Sequence, residues 1–354
     1  MGKFIAVDCG KYETKVAVCD SKTSHYKEFK FRTRMDGLGR FDDDMLGRGT
    51  YVAQIDGAAP VRIGADATTE TSKVSSKQDD MHRSATLLAI ALCVNENEKE
   101  DVTVAIGIPY SICSDVESRN RYKDFILPHG VEHTVKVKKS ATAEPVTVTF
   151  TVAKRYVYPE SIGAMYEFPE YFQDVAGIID MGNVNRGGTY INTKSISHGF
   201  SFTAEGGGND LITSLADKLS VAMNGRVTYD LVAKVLKKPY EERHLNSKTG
   251  DKTAQEKSKK IIDEHLLDYV KEMKMLCDQK TWPLDFMNVI AIGGTSSLLE
   301  RELKEVFGSS IIIPKDAEMI NARGFLNKMC TDNNVDVEAL KDSGKKKKEA
   351  KGAA

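Results

Sequence analysis

Apolar and polar residues alternate through three short N-terminal runs, "KFIAVD", "TKVAVCD" and "EFKFRT". A period of two predicts three strands joined by short polar turns, a meander. "YVAQIDGAAPVRIGADA" continues the alternation as a hairpin with Asp56 and Gly57 at its turn. The period then changes: "MHRSATLLAIALCVNE" spaces its apolar residues three and four apart and predicts a helix packed on a sheet. "VTVAIGIPYS" reads as a short buried strand that Pro109 stops, and "SRNRYKDFIL" as a helix. "HTVKVKKS" and "VTVTFTVAKRYVYPES" read as β segments, and "IGAMYEFPEYF" as helical.

The second half opens on "GIIDMGNVNRGGTYIN", a strand, a turn and a strand. "GFSFTAEGGGNDLITSLADKLSVAM" predicts a strand, a glycine cluster and a helix with Asn209 as its N-cap. A charged stretch from Lys237 to Lys260 leads into a long amphipathic helix, "SKKIIDEHLLDYVKEMKML". "FMNVIAIGGTSSLLERELKEVF" reads as strand, Gly-Gly turn and helix, and "SIIIPKDAEMINARGFLNKM" as a final strand and helix. The end, "KDSGKKKKEAKGAA", reads as a solvated tail.

The length of 354 residues is that of two domains or one large two-lobed one. A formal net charge of −1 argues against a generally basic, nucleic-acid-binding surface. The six cysteines are scattered without a CxxC pair, as expected of reduced thiols in an intracellular compartment. No apolar run approaches the roughly 18 residues of a membrane span. The chain enters a strand at once, so neither signal peptide nor membrane anchor is expected.

The halves repeat an order of parts. "FIAVDCGKYETKVAV" and "GIIDMGNVNRGGTYI" are both strand, Asp-x-Gly, loop and strand, and "VTVAIGIP" and "VIAIGGTS" are both buried strands ending in Ala-Ile-Gly. Asp8 to Gly107 is 99 residues and Asp180 to Gly293 is 113. A duplicated α/β unit gives two lobes, each offering an Asp-bearing hairpin to the cleft between them. Gly10, Gly182, Gly187 and Gly188 permit close approach of phosphate oxygens to the backbone. An Asp at each strand end would repel phosphate unless a cation intervenes, and Mg²⁺ held through its waters suits Asp8 and Asp180. Lys15 offsets phosphate charge. Gly293, Gly294 and Thr295 precede a helix and leave bare backbone for a flat group, and Gly207 and Gly208 repeat the device. Glu160 follows a Pro at an expected helix start, where a dipole-stabilising role and a catalytic one are both open.

Together these segments resemble the actin/Hsp70/sugar-kinase superfamily and, within it, the ParM-like plasmid-segregating bacterial actins. "DCGKYETK" resembles the first phosphate loop, "YPESIGAMYE" the first connecting segment, and "IDMGNVNRGG" the second phosphate loop. "IGGTSSLL" is similar to the adenosine motif and "INARGFL" to the second connecting helix. Asn183 departs from the family pattern by replacing a glycine, and Arg186 is also unexpected.

The resemblance implies an α/β, duplicated actin-like (RNase H-like) two-lobed ATPase fold with inserted small subdomains. Lobe I would span 1–165 with an insert at about 33–80, lobe II 166–318 with an insert at about 207–280, and the helix 319–332 would pack back on lobe I. Residues 333–354 would be a disordered basic tail. It also implies that Asp8 and Asp180 organise Mg²⁺ and water, and that Glu160 positions the attacking water. Gly10, Lys11, Lys15, Gly182 and Asn183 would hold phosphates; Gly207, Gly208, Gly293, Gly294 and Thr295 would meet the nucleoside; Lys257 and Lys260 are base-contact candidates. The implied protein is cytoplasmic and polymerises with ATP or GTP. It meets a ParR-like adaptor on centromere-like plasmid DNA, without a membrane and without direct DNA contact. A small-molecule kinase of the same superfamily is the alternative, although no motif for a substrate-deprotonating Asp is present. A chaperone ATPase is disfavoured because about 25 residues follow the second connecting helix.

Overall fold

The computed structural model describes residues 2–41, 46–70, 76–96, 98–113, 115–246 and 251–341. By their contacts these fall into two compact units, the described parts of Met1–Glu167 with Asn321–Ala354, and Phe168–Ile320.

The first unit is built on nine strands: β1 (Lys3–Cys9), β2 (Glu13–Asp20), β3 (His25–Arg32), β4 (Met35–Gly37), β5 (Thr50–Ile55), β6 (Val61–Gly64), β7 (Lys99–Ile108), β8 (Glu132–Lys138) and β9 (Val146–Pro159). Their order is β3-β2-β1-β7-β9-β8-β5-β6-β4. β1 is buried at every position, as its nearly unbroken apolar run requires of a central strand. It pairs antiparallel with β2, which sets Asp8 opposite Lys15, and parallel with β7. The segment expected as an insert at 33–80 hydrogen-bonds through β5 to β8 and so continues this sheet. Helix α1 (Asp80–Ala91) starts on an Asp79 cap and lays Leu88 and Ile90 into the core. Three further helices follow, α2 (Tyr110–Cys113), α3 (Val116–Ile126) and α4 (Gly163–Glu167). The helix expected across 162–172 breaks at Phe168, ahead of Pro169, and resumes as a 3₁₀ turn over Pro169–Phe172.

The second unit carries β10 (Ala176–Met181), β11 (Asn185–Asn192), β12 (Ser195–Ile196), β13 (Phe202–Glu205) and β14 (Asn288–Ile292). β10 pairs antiparallel with β11 and parallel with β14, repeating the arrangement of β1, β2 and β7. The helices are α5 (Gly208–Ala222), α6 (Tyr229–Leu236), α7 (Lys252–Gln279) and α8 (Glu300–Phe307). Three expectations are corrected. α6 was not foreseen; Thr228 caps it and it buries Val232, Val235 and Leu236. The last strand shrinks to a single bridge, Ile290 to Ile312. Asn209 is not the α5 cap: Gly207 holds that position, and the Asn209 side chain accepts from the Tyr229 hydroxyl at 2.7 Å.

The final helix, α9 (Ile320–Asp332), belongs to the first unit from Asn321 onward. A side chain on Gly324 would lie 1.9 Å from the Gly163 carbonyl oxygen, so only glycine permits this helix to approach so closely. Arg323 donates twice to Glu28, at 2.8 Å from both Nε and Nη2. Residues 333–341, expected as part of a disordered tail, are among the described ones. Residues 337–341 are helical, the Asp336 side chain accepts from the Ala339 N–H, and Lys341 pairs with Glu338 at 2.7 Å. The lysine run 345–348 lies outside the described residues.

Candidate functional site

In the first unit the site begins where β1 ends. Asp8 is 5% exposed, and the Lys15 ammonium lies 3.5 Å from its Oδ2 across the β1–β2 pairing. The Gly10 N–H donates to the Glu13 carbonyl at 3.1 Å. A Cβ on Gly10 would stand 2.9 Å from that oxygen, so the turn closes only without a side chain. Burial, then the positive charge of Lys77, lowers Lys11 below the usual lysine range.

Glu160 lies in the turn after β9, with its N–H donating to Ile108 at 2.9 Å. α4 starts only at Gly163, so Glu160 is not the helix-start residue that the sequence suggested. A side chain on Gly107 would meet Glu160 Cγ at 3.4 Å and Asp8 Oδ1 at 3.6 Å, so both carboxyl groups border the same bare stretch of β7. The Glu160 carboxylate is bound by the ammonium of Lys77, which also donates to the Cys9 carbonyl at 3.1 Å. Lys77 is 6% exposed. Burial opposes its charge, but Glu160 and then Asp8 outweigh it and hold Lys77 above the usual lysine range. The sequence reading missed this residue, because "SSKQDD" is a polar stretch with no period to mark a buried position.

In the second unit three turns knit together. A Cβ on Gly182 would stand 2.8 Å from the Asn185 carbonyl oxygen, the same relation as Gly10 to Glu13. The first N–H groups of α5 are spent on this loop: Gly207 donates to Val184 at 3.0 Å, Gly208 to Gly182 at 3.0 Å and Asn209 to Asn183 at 2.8 Å. Gly293 has φ +91°, and a side chain there would lie 2.8 Å from Asp180 Oδ1. The Thr295 N–H donates to Met181 at 3.1 Å, and its hydroxyl to Gly182 at 3.4 Å. Gly294 is more open, with Glu318 Oε2 3.5 Å from the place of a Cβ. Asp180, Gly182, Asn183, Gly207, Gly208, Gly293 and Thr295 therefore form one cluster. Its glycines serve contacts between the turns as much as any ligand.

Gly187 and Gly188 are a different case. They sit inside β11, where a Gly188 side chain would lie 2.4 Å from the Phe202 ring and 3.0 Å from that of Trp282. Their bareness serves packing inside the sheet: the Phe202 and Trp282 rings at Gly188, and the backbone of β13 at Gly187, where a Cβ would lie 3.1 Å from the Phe202 carbonyl oxygen. Arg186 turns to α7: it donates to Glu272 at 2.8 Å and lies over the Tyr269 ring at 4.7 Å. Lys257 donates to the Ala222 carbonyl at 2.7 Å, and exposed Lys260 pairs with Glu264 at 3.8 Å. A groove of about 290 Å³ between α5 and α7 is lined by Arg186, Asp210, Lys218, His265, Tyr269 and Glu272. The Lys218 ammonium donates to His265 Nδ1 at 2.9 Å, so Nε2 carries the proton toward Ser214. That tautomer cannot take a proton from the serine. Among the described residues no group of three His, Cys, Asp or Glu side chains gathers to hold a metal directly, and no helix is long and apolar enough to cross a membrane.

Residues 6–163 match the family model of the actin-like proteins N-terminal domain. No curated protein matches the chain. Among solved structures it superposes on the Alp12 filament structure with a TM-score of 0.70 at 20% identity, covering 94% of this chain and 99% of that one. On the apo psk41 ParM protein the TM-score is 0.69 at 14% identity, covering 94% and 98%. On Ta0583, an archaeal actin homolog in complex with ADP, it is 0.67 at 16% identity, covering 92% and 98%. The chain has the actin-like fold, as the resemblance in its loops implied.

Proposed function

We propose that this chain, actin-like in fold, is a Mg²⁺-dependent, filament-forming ATPase that segregates plasmid DNA. The observation that carries this reading is the matched construction of the two Asp-x-Gly loops. In each, the glycine lies so close to a carbonyl three residues on that a Cβ would fall within 3 Å of it. In each, the loop follows a carboxylate at the end of a strand paired with one antiparallel and one parallel neighbour. The ADP bound by the archaeal homolog and the filament formed by Alp12 support the extension to nucleotide and polymer.

Asp8 and Asp180 each offer a single carboxylate beside a glycine loop, and each would hold a hydrated ion through its waters. Mg²⁺ would supply charge neutralisation of the phosphates. Gly10, Lys11, Lys15, Gly182 and Asn183 would bind and orient the phosphates, and Gly293, Gly294, Thr295, Gly207 and Gly208 would face the nucleoside. Lys257 and Lys260 would reach a base only by leaving Ala222 and Glu264. Glu160 would orient the attacking water. Phosphoryl transfer to water needs little beyond positioning and charge. ATP or GTP would drive polymerisation, hydrolysis would loosen the polymer, and a ParR-like adaptor on plasmid DNA would join the filament end.

The test is to add ATP or GTP with Mg²⁺ to purified protein and follow light scattering, pelleting and phosphate release together. Nucleotide-dependent polymer with later phosphate release is expected. Absence of polymer at micromolar protein would overturn the reading. Glu160→Ala is expected to polymerise while releasing phosphate more slowly.

A further inference from the structure

Lys77 is buried at 6% exposure in a place where a lysine must be held by partners or lose its charge. It has them: its ammonium is bound to Glu160 Oε1 and to the Cys9 carbonyl of the first Asp-x-Gly loop. The lysine thus ties the loop expected to bind phosphate to the carboxylate expected to orient water. With partners on two separate segments, the ammonium fixes where the Glu160 carboxylate sits relative to the loop.

We propose that Lys77 is a positioning residue for hydrolysis: it clamps Glu160 through Oε1 so that Oε2 accepts a hydrogen bond from the attacking water. The inference rests on the ATPase reading given above. In the step it serves, the water oxygen bonds to the γ-phosphorus as the bond from that phosphorus to the β–γ bridging oxygen breaks. ADP leaves, one water proton stays on the phosphate product, and the other passes by Glu160 to solvent. Lys77 itself transfers nothing. An unclamped Glu160 samples other rotamers, and loss of alignment at this distance from the chemistry costs on the order of 100-fold.

The experiment compares wild type, Lys77→Met, Lys77→Arg, Glu160→Gln and the Lys77→Met/Glu160→Gln double variant. Phosphate release is measured against ATP concentration, and binding of a fluorescent ATP analogue is measured separately. Lys77→Met is expected to lower kcat by about 100-fold while KM and analogue binding change less than about threefold. Lys77→Arg should recover part of the loss. The double variant should be no slower than Glu160→Gln, because the two residues act as one unit. Wild-type hydrolysis with an unimpaired Lys77→Met, or losses that multiply in the double variant, would overturn the proposal alone. Lys77→Met that cannot bind the analogue would assign Lys77 to binding or folding and overturn it as well. A wild type that releases no phosphate from ATP or GTP removes the ATPase reading and this proposal together.

Discussion

The N–H of Gly208 donates to the carbonyl of Gly182 at 3.0 Å, joining the start of α5 to the second Asp-x-Gly loop. Helix N-termini ordinarily leave their first N–H groups for side chains, water or anions. Here the preceding loop takes them, and glycine is the condition for it. A Gly208 side chain would lie 2.3 Å from Thr295 Oγ1 and 2.9 Å from Asn183 Oδ1, and one on Gly207 2.5 Å from the Val184 backbone. Gly207→Ala meets backbone that cannot turn aside, so it is expected to cost about 2–3 kcal/mol in urea unfolding. Gly208→Ala meets movable side chains and should cost less. Equal costs would show that the backbone contact is not the deciding one.

Arg186, the unexpected residue of the loop, is expected to matter for stability more than for nucleotide. Its side chain joins β11 to α7 through Glu272 and the Tyr269 ring. Arg186→Ala should destabilise by about 2 kcal/mol, with Arg186→Lys recovering less than half, since an ammonium cannot stack and donate as a guanidinium does. Thermal unfolding decides it. An unchanged midpoint in both variants would remove the structural role.

Glu302 on α8 is 2% exposed, and neither carboxylate oxygen has a hydrogen-bond partner. Burial raises it above the usual carboxylate range, with Arg243 and Arg301 pulling partly back. A raised value means the folded chain holds this proton at a pH where the unfolded chain has lost it. Stability therefore falls as pH rises from the unfolded value through the folded one, and the full cost is present above it. Glu302→Gln is expected to be the more stable protein at pH 8, with its advantage gone at about pH 4. Melting temperatures at the two pH values check this, and a difference independent of pH would sink it.

Gly177 lies beneath the Trp282 ring, which would approach a side chain there to 2.4 Å. Gly177→Ala is expected to expel the indole, break its 2.8 Å hydrogen bond to the Phe200 carbonyl and cost about 3 kcal/mol. A red-shifted emission maximum would accompany the loss. Wild-type emission and stability would show that the sheet absorbs the methyl group.

What sequence alone made legible follows from period and repetition. The meander β1–β3, the hairpin β5–β6 and the long α7 carry clean periods of two or 3.6, and the β10–β11 hairpin repeats β1–β2 down to its Asp-x-Gly. Residues whose role is set by distant partners were not legible. Lys77 stands in a polar segment that only the fold brings to Glu160. Gly187 and Gly188 read as phosphate glycines because the sequence does not say that the backbone of β13 will press on the first and the Phe202 and Trp282 rings on the second. α6 was hidden because eight residues give two turns and little period to detect. Asn209 looked like a cap because caps are judged by residue type, whereas the backbone of the neighbouring loop supplied the partners.

Trp282 is the one tryptophan in the chain, and it is buried beneath strand glycines of the second unit. Indole emission therefore reports the melting of the second unit alone, while far-ultraviolet circular dichroism reports both. Coincident curves from the two signals would mean that the protein unfolds in one cooperative step; separated curves would assign each transition to its unit without any label being introduced.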